Sequence, residues 1–212
     1  MEFKKSKTAI RYTKYAIQNT SAFTLIELLV VCGIMALIAG LMLANQTKFG
    51  GQVLLQNFAY DMALSIRQAQ VYGISVQGYN ASFKAGYGIH FDTNNTRYIL
   101  YGDTDNSGAW NSTIDQQKAV LNITRSGYAI NTKCVTVSGT ETCGVKQLEI
   151  VFQRPEPDAL ISWQDSASTW HYYTAGARAD SARIEVISPR SEKMSVRISQ
   201  NGQIAVDQAV TN

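Results

Sequence analysis

Two histidines and three cysteines are all the imidazole and thiol ligands in 212 residues, and neither set forms a familiar site. The chain has no Cys-x-x-Cys pair, no His-Glu-x-x-His run and no glycine-rich phosphate loop. Dithiol redox, zinc hydrolysis and nucleotide binding therefore have no basis in the sequence. His90 precedes Phe91 in a strand-like run and His171 sits beside Trp170, Tyr172 and Tyr173, so both read as structural or exposed rather than catalytic. Proline is also scarce, at three, and nothing resembles a collagen-like repeat.

Charge of one sign is confined to the start of the chain. Before Phe23 stand Lys4, Lys5, Lys7, Arg11 and Lys14 against Glu2 alone, whereas the remaining 190 residues carry 14 basic and 15 acidic side chains. The formal net charge of +3 thus reads as a cytoplasmic retention signal and not as a binding surface.

The chain does have apolar residues, at 45%, and aromatics, at 10%, enough for one folded soluble domain beside a membrane segment. From Phe23 to Ala44 the one carboxylate is Glu27, and a helix of that length spans about 30 Å of hydrocarbon. The basic flank predicts a cytoplasmic N-terminus and an extracytoplasmic remainder. A secretory signal peptide would have a shorter apolar core followed by a small-residue cleavage site; here the core continues into a helix-forming segment. A carboxylate at this depth is costly unless it reaches the interface or meets a cation. Glu27 therefore either snorkels at the cytoplasmic boundary or pairs with a neighbouring subunit's Phe23 amine, freed by cleavage after Ala22.

Leu54, Leu55, Phe58, Met62, Ile66 and Ala69 recur at mostly three- and four-residue intervals, so the helix should continue to about Tyr72, with Gly73 as its stop. Beyond it, the runs Tyr87-Ile89-Phe91, Tyr98-Leu100, Val120-Asn122, Val135-Val137, Leu148-Ile150-Phe152, Ile184-Val186 and Val196-Ile198 have strand character. Met194, Val196 and Ile198 alternate with Ser195, Arg197 and Ser199, predicting one buried and one wet face. Asn201-Gly202 should turn this strand into Ile204-Val206. The fold expected is α+β: a long N-terminal helix, transmembrane in its first half, packed on an antiparallel β-rich head. The segments are 1–22, a basic leader; 23–44, the membrane helix; 45–72, its amphipathic continuation; and 73–212, the head.

The run Ser21-Ala22-Phe23-Thr24-Leu25-Ile26-Glu27-Leu28-Leu29-Val30-Val31 closely resembles the processing signal of type IV prepilins and type II secretion pseudopilins. The helix stretch Phe58–Gln70 and the C-terminal strand, turn and strand resemble the minor pseudopilins of the GspH and FimT-like kind. This resemblance implies cleavage between Ala22 and Phe23 by a membrane prepilin peptidase, methylation of the Phe23 amine, and a role for Glu27 in methylation and docking. Ala22 stands where the family usually has glycine. The implied partners are other pilins or pseudopilins, the peptidase and methylase, an inner-membrane assembly platform, membrane lipid and a separate cytoplasmic ATPase. The implied product is a non-enzymatic filament subunit that needs no cofactor, anchored in a bacterial inner membrane and found in a surface or periplasmic filament after assembly.

Four further groups carry competing readings. Cys134 and Cys143 lie close together in a polar stretch and form either a hairpin disulfide outside the cytoplasm or two unpaired thiols. Asp103, Asp105 and Ser107 space their oxygens as at the start of a calcium loop, but the twelfth position is Ile114, followed by Asp115; an ordinary turn is the alternative. Arg178, Arg183, Arg190, Lys193 and Arg197 could contact DNA phosphates, but Asp180, Glu185 and Glu192 interrupt them. Trp110, Trp163, Trp170 and Tyr172-Tyr173 would serve either a tip adhesin or a core.

Overall fold

The computed structural model describes residues 23–75, 85–124, 126–176 and 178–208. The chain forms two compact units, Met1–Asn45 and Gln46–Asn212. One helix, α1 (Leu25–Ile74), contributes to both. In the first unit its Leu25–Leu43 stretch has a mean hydropathy of 2.6, and none of it is buried against the rest of the chain. That stretch is long and apolar enough to cross a membrane.

In the second unit α1 buries Leu55, Ala59, Met62, Ile66 and Ala69, whose four- and three-residue spacing makes one helical face. Leu54 and Phe58 flank that face and are partly covered. The helix runs through Gly73 instead of stopping there. A Cβ at Gly73 would lie 2.2 Å from the Phe152 carbonyl oxygen, so the glycine lets the helix lie directly on a strand backbone.

Two antiparallel sheets form the rest of the head. The first has the order β3-β2-β1-β6-β7-β8, from β1 (Gly86–Phe91), β2 (Arg97–Asp103), β3 (Gln116–Asn122), β6 (Gln147–Phe152), β7 (Ala159–Gln164) and β8 (Trp170–His171). The second has the order β11-β10-β9-β4-β5, from β4 (Ala129–Val137), β5 (Thr140–Cys143), β9 (Ser181–Ile187), β10 (Lys193–Ser199) and β11 (Ile204–Gln208). One apolar core joins the buried face of α1 to Ile89, Leu100, Ile150 and Ile161 of the first sheet and to Val135, Ile184, Val196 and Ile198 of the second. This is an α+β, pilin-like architecture.

The centre of the first sheet is covered on both faces, while its edge strand β3 is largely exposed. Ile99, Tyr101 and Val151 pack outward against Trp110, Leu160 and Tyr173, and β1 has no exposed residue. In the second sheet Val196 and Ile198 face the core while Arg197 is exposed, but Ser195, expected to be wet, is only 2% exposed. Ser195 lies opposite Glu185 on β9 and Asp207 on β11, in the middle of a face carrying long charged side chains.

At the last hairpin Gly202 has φ of +79°, the left-handed conformation that the turn requires. Gln70 of α1 donates from Nε2 to the carbonyls of Pro157 (3.0 Å) and Gly202 (2.9 Å), tying the helix to the β6–β7 turn and the β10–β11 hairpin.

Candidate functional site

The start of α1 is built by a reciprocal cap. Thr24 donates from its backbone N–H (3.0 Å) and its hydroxyl (2.9 Å) to the Glu27 carboxylate, and the Glu27 N–H donates to Thr24 Oγ1 (3.3 Å). This is a capping box: a threonine at the N-cap and a glutamate three residues on satisfy backbone donors that a helix start leaves open. The spacing Thr24-x-x-Glu27 is present in the sequence, and it gives the glutamate a capping role in addition to that of its charge. Phe23 is 82% exposed. Ala22, the other expected processing residue, lies outside the described residues.

The β2–β3 connection gathers a second group. Asp103 is fully buried; its carboxylate accepts the N–H groups of Ser107 (3.1 Å) and Gly108 (3.0 Å). Asp105 accepts from Ser107 N–H (3.0 Å), and Asp115 accepts from Thr104 (3.0 Å) and Asn111 (2.8 Å). Oxygens of Asp103, Asp105 and Asp115 all lie within 4.8 Å of one another, a donor set that suits a hard divalent cation. The third carboxylate is Asp115, not Ser107, whose hydroxyl donates to the Ala109 carbonyl (3.1 Å). Burial, helped by Asp115 and Asp105, pushes Asp103 up to about 7. Burial also raises Asp115. At Asp105 burial works upward but is outweighed by hydrogen bonds from Ser107, and its pKa is lowered.

Trp110, in the same connection, covers a polar network that sequence reasoning missed. His90 Nδ1 lies 2.5 Å from Glu149 Oε1, and the Tyr101 hydroxyl donates to Glu149 Oε2 at 3.1 Å. The Trp110 backbone N–H faces the same carboxylate and helps to hold its pKa down, and its ring packs edge-on against Tyr101 at 5.1 Å. Glu149 has no exposed surface and His90 only 5%; burial raises Glu149, opposed by His90 and Tyr101. His90 and Glu149 are register partners on β1 and β6, 59 residues apart, so no local pattern could have paired them. His171, the other histidine, stacks on Trp163 (4.9 Å) and meets Asp165 (3.2 Å).

Cys134 and Cys143 are opposite each other on β4 and β5 and joined by a disulfide. Of the five basic candidates, three share the outward face of the second sheet, and each has a carboxylate beside it. Arg183 meets Glu141 (2.8 Å) and Glu185 (3.5 Å), Lys193 meets Glu185 (3.0 Å), and Arg197 meets Asp207 (3.6 Å). Arg190 lies in the β9–β10 turn, where its N–H donates to Ser188 Oγ. Arg178 lines a separate cleft with Arg154 and Tyr173.

Comparison of the chain with protein-family models, with curated proteins and with solved structures finds no match in any of the three. What defines the class is therefore the fold: a long N-terminal helix, apolar in its first half, whose second half packs on an antiparallel β head, the general architecture of pilin-like proteins.

Proposed function

We propose that the chain is a minor pilin or pseudopilin, a non-enzymatic subunit added to a type IV pilus-like or type II secretion-like filament. The observation that carries this reading is α1: its 19-residue apolar span has no cover from its own chain, and it opens on Phe23, Thr24 and Glu27. In this reading the chain is cut before Phe23 by a prepilin peptidase and methylated there. It crosses the bacterial inner membrane once with its N-terminus in the cytoplasm, and a separate assembly platform moves it into the filament. Support for side-by-side packing comes from Val53, Tyr60, Leu64 and Val71, 38–66% exposed and spaced seven, four and seven apart, which keeps them on one line of the helix.

The intact mass and N-terminal state of the protein from its native membrane, together with the proteins bound to it, test this. A chain starting at methylated Phe23 beside other pilin-like subunits is expected; an uncut chain without such neighbours overturns the reading.

For the acidic connection the proposal is a calcium-class cation held by Asp103, Asp105 and Asp115. Added calcium should then raise the thermal midpoint of the full chain, and the double variant Asp103→Asn, Asp105→Asn should lose that rise. DNA capture is less well supported, because Arg183, Lys193 and Arg197 are already beside carboxylates. Retention of salt-sensitive DNA binding would restore it. A tip adhesin would draw on the stacked Trp170 and Tyr172 rings, 5.3 Å apart.

A further inference from the structure

We propose that the cleft holding Arg154 and Arg178 binds a carboxylate presented by a partner polypeptide, either a free C-terminus or an acidic side chain. The cleft is a cavity of about 270 Å³ between the β6–β7 turn, the start of β7 and the segment before β9. Its walls mix apolar and polar groups: Ala159, Ile161 and Ala179 are 2–4% exposed, and Pro155 and Tyr173 stand beside Gln153 and Gln200. Arg154 and Arg178 both line this small space, from two separate segments of the chain.

The state of those two arginines sets them apart. Arg97, Arg183 and Arg197 each lie within 4.0 Å of a carboxylate, and Arg67 donates to the Gln70 side-chain oxygen at 2.7 Å. Arg154 and Arg178 have no ion pair with any described carboxylate, although Glu156 and Asp158 line the same cleft. Arg154 is moreover partly buried, where a guanidinium without a counter-charge is costly. A planar carboxylate placed between them would supply that charge and accept paired N–H donors.

The chemistry favours a polypeptide carboxylate over a phosphate polymer. The volume is at the small end for ligand cavities and suits one chain terminus or side chain. The apolar part of the wall, Pro155, Leu160 and Ile161, suits an aliphatic neighbour on the same peptide. Glu156 and Asp158, which line the same cleft, repel a second and third negative charge and so disfavour a nucleic-acid backbone relative to a single anion. The argument uses only the head and does not depend on the filament reading.

The test is a titration of the full chain in detergent micelles, read from the side-chain Nε–H signals of Arg154 and Arg178 by NMR. The probes are N-acetyl-Ala-Leu with a free carboxylate, N-acetyl-Ala-Glu amide, and N-acetyl-Ala-Leu amide as the neutral control. Saturable shifts are expected with the two acids at half-saturation on the order of millimolar, and none with the neutral amide; which acid binds tighter distinguishes a chain terminus from a side chain. Arg178→Gln and Arg154→Gln, followed by whichever signal remains, should each weaken binding about tenfold. Arg197→Gln should leave it unchanged. The proposal is overturned if neither acid gives a saturable shift, if the neutral amide binds as well, if the cleft variants bind like the wild type, or if inorganic phosphate or an oligothymidylate binds more tightly than the acids.

Discussion

The outward face of the first sheet and that of the second both carry carboxylates beside basic groups, but in opposite surroundings. On the first, Glu149 is fully enclosed by His90, Tyr101 and the Trp110 backbone. On the second, the side chains of Arg197 and Asp207 are 48% and 49% exposed at a separation of 3.6 Å. Removing one partner from the enclosed group strands the others in a place water cannot reach, whereas the exposed pair is simply rehydrated. Similar contacts therefore differ severalfold in what they contribute, and the difference comes from what lies above them: the β2–β3 connection over one sheet, solvent over the other.

Four substitutions break or sharpen this contrast. Glu149→Ala should cost about 3–5 kcal/mol in a full-chain unfolding titration, the largest effect expected. A loss below about 1 kcal/mol would mean that the network is not closed to water. Tyr101→Phe removes one hydrogen bond to the same carboxylate and should cost about 1.5–3 kcal/mol, with the Trp110 fluorescence environment altered.

Asp103 gives the pH test. Its folded pKa of about 7 stands above the ordinary 3.8, so the contribution is complete below about pH 3.8 and is lost as pH rises through 7. Asp115 adds to this trend, whereas Asp105, lowered below the ordinary value, acts only at more acid pH. Without divalent cations the thermal midpoint should fall between pH 5 and 8 by several degrees, on the order set by about 2–3 kcal/mol at this chain length, and Asp103→Asn should flatten the slope. A midpoint that rises over that interval would reverse the assignment. The smallest effect is Arg197→Ala, expected within about 1 kcal/mol of the wild type, and a larger loss would mean that the outward face of the second sheet is not solvated.

Long apolar patterns carried most of the fold in readable form. The helix was legible because its face repeats over many turns, and β1, β6, β9 and β10 because their apolar residues alternate. Strand β5, Thr-Glu-Thr-Cys, has no apolar alternation and exists through pairing with β4. Strand β8 has two residues. Strand β7 follows Pro155 and Pro157 and has only a short apolar run, Ala-Leu-Ile, before Ser162. Gly73 looked like a helix stop because its real reason, the Phe152 carbonyl, is remote in sequence. The sites divide in the same way. Thr24 and Glu27 are three residues apart, so their cap was visible in principle; Asp115 was noted but lay past the loop consensus; and neither Glu149 nor the shared cleft of Arg154 and Arg178 leaves a local trace.

The order in which the strands pair also sets when the head can form. Strand β1 pairs with β6, so residues 87–91 wait for residues 148–152, and β4 pairs with β9, so residues 129–136 wait for 181–187. The chain visits the first sheet, the second, the first again and then the second again. The first sheet cannot close before His171 is made and the second not before Gln208, and no cut in the middle of the head leaves two pieces able to fold separately. Such non-local pairing makes for slow folding. During that interval the apolar face of α1 from Leu55 to Ala69 has no sheet to cover it, and this is the period in which the newly made chain is most exposed to aggregation.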